Sequence, residues 1–176
     1  MRLFVALRPP LEVLEHADAA VAQVRAGEPG PRWIPAERWH LTLAFYGEIA
    51  DDSVDGVAAM VGRRLRRLRD RGPVDLAFAG SGSFARRALW LGVTGDLPRL
   101  KALAKTVNTD RRPYRPHLTV ARLRAGSDPR AAEAMLASYA GPRWRATTVH
   151  LVQSHLGPKP RYDDVANWPL GLEPPD

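Results

Sequence analysis

Two short strings in this sequence carry the same pair of reactive side chains. His40-Leu41-Thr42-Leu43-Ala44 returns 77 residues later as His117-Leu118-Thr119-Val120-Ala121. Side chains along a strand alternate between its faces. His40 and Thr42 then share one face and Leu41 and Leu43 the other, and the second string divides in the same way. Each copy offers an imidazole and a hydroxyl to a cleft and anchors them with aliphatic residues in a core. Two imidazoles and two hydroxyls that converge suit the hydrolysis of a phosphodiester. Histidine titrates near neutrality, so one ring can take a proton from water while the other gives one to a departing sugar oxygen. The hydroxyls can hydrogen-bond the non-bridging oxygens, where charge builds in the transition state. A five-membered cyclic phosphate is already strained and needs no metal to activate it.

The elements that must hold these strings are legible around them. Arg2–Leu7 reads as a buried strand stopped by Pro9-Pro10. A helix follows with Leu14, Ala17, Val21 and Val24 at helical spacing, ended by Gly27–Pro31. Trp39–Tyr46 reads as the strand of the first string. A helix starts at Asp51-Asp52-Ser53 and carries Val54, Val57, Ala58, Val61, Leu65 and Leu68 inward, with an arginine-rich outer face up to Arg71. Two strands, about Val74–Ala79 and Ala88–Val93, flank a Gly/Ser loop that contains Phe84. A third helix runs through Leu97, Leu100, Leu103, Ala104 and Val107. Leu118–Leu123 is the strand of the second string. Pro129–Tyr139 fits a fourth helix with Ala132, Met135, Leu136 and Tyr139 inward. Trp144–Leu156 is strand-like, and the Pro- and Gly-rich tail from Trp168 reads as irregular. With no glycine-rich fingerprint after the first strand, the class is α+β with largely antiparallel sheets.

Composition narrows the function classes. The 176 residues suffice for one well-buried core, so a single domain over residues 1–176 is expected. Lys plus Arg number 26 against 19 Asp plus Glu, a net charge of +7 that favours a polyanionic partner. The absence of cysteine excludes disulfides, thiolate chemistry and Cys-ligated zinc. No His-x-His or His-x-x-x-His with an acidic partner suggests a metal site. Neither a signal peptide nor a membrane-spanning apolar run is visible, and the cytoplasm is the expected compartment.

Longer strings carry a resemblance. The paired His-x-Thr motifs resemble the two-histidine phosphoesterase superfamily. RLFVAL at the start, WHLTLAFYGEI, YRPHLTVARLR and Ser154-His155-Leu156-Gly157…Arg161-Tyr162 are similar to the bacterial RNA 2′,3′-cyclic phosphodiesterases, formerly called 2′-5′ RNA ligases. The resemblance implies a two-lobed, pseudo-symmetric α+β fold, with antiparallel sheets facing a central cleft and helices outside. It implies His40 as the proton donor to the leaving 3′ oxygen and His117 as the base that activates water, leaving a 2′-phosphate. Thr42 and Thr119 would hold phosphate oxygens, as would Arg122, five residues past the second histidine. The implied partner is RNA with a 2′,3′-cyclic phosphate end, or a related cyclic nucleotide, acted on without cofactor or metal by a monomer. Strict alternation puts Arg122 on the face opposite His117, so either the strand bends or bulges there or the arginine reaches around its edge. One departure is Pro160, where relatives often carry glycine.

Other residues are weighed against plainer roles. Phe84 could stack on the terminal base or plug the core. Arg111, Arg112 and Arg115 lie just before His117 and could steer a phosphate backbone. The Arg63–Arg71 run reads first as a solvated helix face. Trp33 and Trp39 read as core, and His16, His150 and His155 fit no spacing that joins them to the pair. Two rival functions remain: 2′-5′ RNA ligation by the reverse chemistry, and a non-catalytic RNA-binding module, against which the neutral imidazoles argue.

Overall fold

A computed structural model describes residues 1–68, 72–85, 87–110, 112–155, 157 and 161–171. Among the described residues nine strands and four α-helices follow in the order β1 (Arg2–Leu7), α1 (Leu11–Gly27), β2 (Arg32–Trp33), β3 (Leu41–Glu48), α2 (Val54–Arg66), β4 (Val74–Phe84), β5 (Ala88–Gly95), α3 (Leu97–Val107), β6 (His117–Arg122), α4 (Arg130–Leu136), β7 (Trp144–Ala146), β8 (Thr148–His155) and β9 (Arg161–Pro169). The mixed, largely antiparallel class expected from the sequence is the class observed. No helix among the described residues is long and apolar enough to cross a membrane.

The strands form one sheet in the order β7-β4-β5-β6-β3-β1-β8-β9, with β2 added to β6. The two expected sheets are therefore halves of a continuous one. They join where Leu41 of β3 pairs with Leu118 of β6, the single register pair between these strands. The order matches on both sides of this seam: a motif strand, the neighbour that leads into it through a helix (β5 through α3, β1 through α1), then two more strands. Alternation along β1 shows how each half is packed. Leu3, Val5 and Leu7 join the main core, whereas Phe4 and Ala6 join Val152 in a small apolar cluster on the opposite face. Helix residues Val13, Ala17, Val21, Val61, Leu65, Leu100, Leu103 and Val107 fill the main core. The helices thus cover one face of the sheet and leave the other for the site.

Several expectations are corrected. The first motif strand starts at Leu41 instead of Trp39, because Ala36–Arg38 forms a turn of 3₁₀ helix and the Trp39 indole is drawn back to donate to the Ile34 carbonyl at 2.8 Å. Trp39 is core, as expected, and Trp33 is half-buried. Phe84 is not in a loop: β4 continues through the Gly/Ser segment by a register shift between Phe78 and Ser81, and Phe84 pairs with Ala88 as its last residue. The tail is strand up to Pro169, because β9 adds to the free edge of β8, from His155↔Arg161 to Thr148↔Pro169. Its Asp163, Asp164 and Asn167 are poor strand formers, which hid it from a propensity reading. Met135 is 55% exposed, since the short α4 buries only Ala132 and Leu136. Arg69, Arg71, Arg111, Leu156 and Pro160 lie outside the described residues.

One glycine is dictated by packing near the site. Gly82 pairs with Trp90, and a Cβ at Gly82 would meet the indole at 2.4 Å. The six-membered ring of the indole occupies the space of the missing side chain. Replacing Gly82 with alanine should destabilise the fold by about 1–3 kcal/mol through overpacking; a urea midpoint equal to that of the wild type would contradict this contact.

Candidate active site

Each motif strand contains a bulge at the same place. On β6, Thr119 pairs with Trp90 and Ala121 with Leu89, so Val120 is an extra residue. On β3, Thr42 pairs with Ala6 and Ala44 with Val5, so Leu43 is extra. Two consecutive residues are buried in each case, Val120-Ala121 and Leu43-Ala44, and the alternation resets after them. That reset solves the problem of Arg122: it emerges on the same side as His117 and Thr119. Its counterpart on β3 is Phe45, which emerges beside His40 and Thr42. The carbonyl of the extra Val120 is not wasted, since the Ile34 N–H donates to it at 2.9 Å. On the other side of the seam, the Tyr114 hydroxyl donates to the Thr42 carbonyl at 3.0 Å.

The seam sets the distance between the histidines. Continuing the Leu41↔Leu118 register places His40 opposite Thr119 and His117 opposite Thr42. The two histidines are then diagonal neighbours on one face, with side-chain origins about 7–8 Å apart, room for one phosphate between the rings. Both rings line one cavity of about 540 Å³ together with Thr42, Thr119, Arg122 and Phe84. All six site residues expected from the sequence are thus brought together. Arg2, Arg38 and Arg87 line the same cavity, and no carboxylate does so among the described residues.

The two imidazoles are held alike. His40 Nδ1 lies 2.8 Å from the Arg38 carbonyl and His117 Nδ1 lies 2.7 Å from the Arg115 carbonyl. A carbonyl can only accept, so each Nδ1 carries the hydrogen and donates it. The reactive lone pair of each neutral ring is therefore on Nε2. Aromatic rings set the ring planes. Phe4 stacks on His40 at 4.5 Å, and Tyr162 meets it edge-on at 5.2 Å. Phe84 meets His117 edge-on at 4.7 Å, and Trp90 stands behind at 6.5 Å.

Burial dominates the electrostatics. It pushes His40 down to about 4, against the opposing pull of the Arg38 carbonyl and with help from Arg8, His117 and Arg122. His117 is also held below the ordinary histidine value by burial, with Arg122 adding to it and the Arg115 carbonyl opposing. The cleft thus holds a pair of neutral rings among cations, a place made for an anion.

Other candidates fall outside. His16 bonds Tyr139 on the surface, while His150 and His155 face Asp164 and Asp163. Arg112 is tied to Asp110, and Arg115 lines a neighbouring cavity on the far side of His117. Arg64 donates to the Val107 and Asn108 carbonyls at the end of α3, so part of the arginine run caps a helix. Phe4, Tyr162, Arg2 and Arg38 escaped the sequence reading as site residues. Phe4 alone had a usable signal, two positions before Ala6 on the cleft face of β1.

A family model described as the 2′-5′ RNA ligase superfamily matches residues 11–158. An Escherichia coli K12 protein named RNA 2′,3′-cyclic phosphodiesterase is 28% identical, over 96% of this chain and 96% of its own. One of the same name from Geobacillus stearothermophilus is 30% identical over 82% of this chain and 49% of its own, so the chain spans about half of that relative. The crystal structure of E. coli LigT complexed with 3′-AMP superposes with a TM-score of 0.75 at 24% identity, covering 97% of this chain and 98% of that one.

The depressed His40 has a stability consequence. The unfolded chain binds a proton at about 6.5 that the folded chain refuses until about 4, so stability falls as pH drops between these values. Wild-type protein should lose about 1–3 kcal/mol more than His40→Gln between pH 7 and pH 4.5 in urea unfolding. Parallel pH dependences would show that His40 takes up its proton as readily in the folded chain as in the unfolded one, and would contradict the depression.

Proposed function

The chain belongs to the 2′-5′ RNA ligase superfamily, and on that premise we propose that it hydrolyses RNA 2′,3′-cyclic phosphate ends to 2′-phosphates by metal-independent acid–base catalysis. The observation that carries this reading is the matched pair of imidazoles in one cavity, each with Nδ1 tied to a backbone carbonyl and Nε2 left for chemistry. The curated relatives named RNA 2′,3′-cyclic phosphodiesterase support the substrate class.

In this mechanism the cyclic phosphate lies between the rings. His117 Nε2 takes a proton from water as the water oxygen attacks phosphorus. The bond from phosphorus to O3′ breaks in line, and protonated His40 gives its Nε2 proton to O3′. A 3′-hydroxyl and a 2′-phosphate remain. Thr42 and Thr119 donate hydroxyl hydrogens to the non-bridging oxygens, and Arg122 adds charge there. Phe84 offers its face to the terminal base. An imidazolium as unstable as that of His40 is a strong acid, which suits a donor to an alkoxide-like oxygen. The substrate's negative charge favours the protonated form, so proton uptake accompanies binding.

The deciding experiment is incubation with an oligoribonucleotide ending in a 2′,3′-cyclic phosphate, reading which hydroxyl keeps the phosphate. We expect the 2′-phosphate, with activity unchanged by EDTA; a 3′-phosphate, or loss in EDTA restored by a divalent ion, would refute the mechanism. His40→Ala and His117→Ala should each lower kcat by about 10²–10⁴, and full activity in either would remove that histidine from the reaction. Both pH profiles should be bell-shaped, the kcat/KM optimum lying at lower pH than the kcat optimum, because the free enzyme holds the depressed values and the bound anion raises them. Coincident optima would contradict proton uptake on binding.

A further inference from the structure

A second cavity, of about 690 Å³, opens on the outer side of His40. It shares Phe4, Arg38, His40 and Tyr162 with the cavity that holds both histidines, so these four form the partition between the two spaces. Its volume is in the range that accepts a nucleotide-sized ligand. The walls are largely apolar, with Leu11, Leu14 and Trp39 among them. Leu11 is 68% exposed there, an apolar side chain left facing solvent.

The three arginines of this cavity differ in what they already hold. Arg8 is paired with Asp164 at 2.6 Å, and Arg161 with Asp163 at 3.1 Å. Arg38 is partly buried and has no ion pair with any described residue. Its carbonyl is spent on His40 Nδ1, but its guanidinium is not. The Arg38 charge is therefore available to an anion other than the reacting phosphate, at the doorway between the two cavities.

Reaction geometry says which anion stands at that doorway. If His40 protonates O3′ and water enters from His117, the ribose leaves the phosphorus on the His40 side. The chain then continues through C4′ and C5′ to the phosphodiester that joins the terminal nucleotide to its neighbour. We propose that Arg38 binds this upstream phosphodiester and that the outer cavity receives the penultimate nucleotide, so that the chain selects oligoribonucleotide ends over cyclic mononucleotides. The inference rests on the phosphodiesterase reading and extends it to substrate length.

The test compares three substrates with one terminal base: a nucleoside 2′,3′-cyclic phosphate with a free 5′-hydroxyl, the same with a 5′-phosphate, and a dinucleotide ending in the cyclic phosphate. For the wild type, kcat/KM should rise about tenfold or more when the 5′-phosphate is added, and again with the second nucleoside. In Arg38→Ala the ratio of the phosphorylated to the unphosphorylated mononucleotide should fall by about tenfold or more. This ratio does not depend on how much of a preparation is folded. The salt dependence of the dinucleotide KM should also lose about one phosphate contact in the variant. An unaltered ratio in Arg38→Ala, or a wild type that treats all three substrates alike, would overturn the inference alone. No turnover of any of the three by the wild type would overturn the phosphodiesterase reading, and this inference with it.

Discussion

Leu41 opposite Leu118 is the contact on which the geometry of the cleft depends. The pair is apolar, fully buried and central, and it fixes the register between two otherwise separate halves of the sheet. A slip of one residue would turn every side chain of one motif to the helix face. The flanking chain guards against that slip on both sides. The segment before the first motif is stitched to β6 through β2 and Ile34, and the segment before the second reaches β3 through Tyr114. Each motif is thus held by the stretch of chain that leads into the other.

What sits on this frame costs stability. Two half-buried imidazoles are partly withdrawn from water, with no acidic partner in the cavity among the described residues and with arginines around them. Among the described residues their hydrogen-bond partners are backbone carbonyls, which orient the neutral rings. Aromatic contacts from Phe4, Tyr162 and Phe84 supply the packing that makes the arrangement tolerable. Behind His117 that packing reaches through Trp90 to Gly82, a glycine whose absent side chain is what the indole occupies. The core and the site are therefore one packing problem, and rigid ring positions follow from it.

Much of this was legible in the amino-acid string because the chemistry is repeated. The spacing of histidine and threonine implied a shared face, and Leu41, Leu43, Leu118 and Val120 implied the core beneath. Helical periodicity located the inward faces of the first three helices, where no competing signal exists. The failures have local causes. Phe84 was read as loop because glycine and serine usually break strands, yet here they let β4 pass beneath Trp90. β9 was missed because aspartates and asparagine are tolerable on an edge strand whose ladder, not its propensity, holds it. Arg122 was the instructive case. Period-two reasoning gave it the wrong face, and the doubled apolar residues Leu43-Ala44 and Val120-Ala121 are the trace in sequence of the bulges that correct it.

Those matched bulges carry a further consequence. A cleft with true twofold symmetry would accept a ligand equally well in either of two senses, end for end. The positions that the bulges turn inward are related by that symmetry but differ in kind: a guanidinium at Arg122, and at Phe45 a ring capped by Arg2 at 5.5 Å. The degeneracy is lifted at this pair. A strand of nucleic acid has polarity, and a duplicated architecture can read it only where its two copies have ceased to be copies.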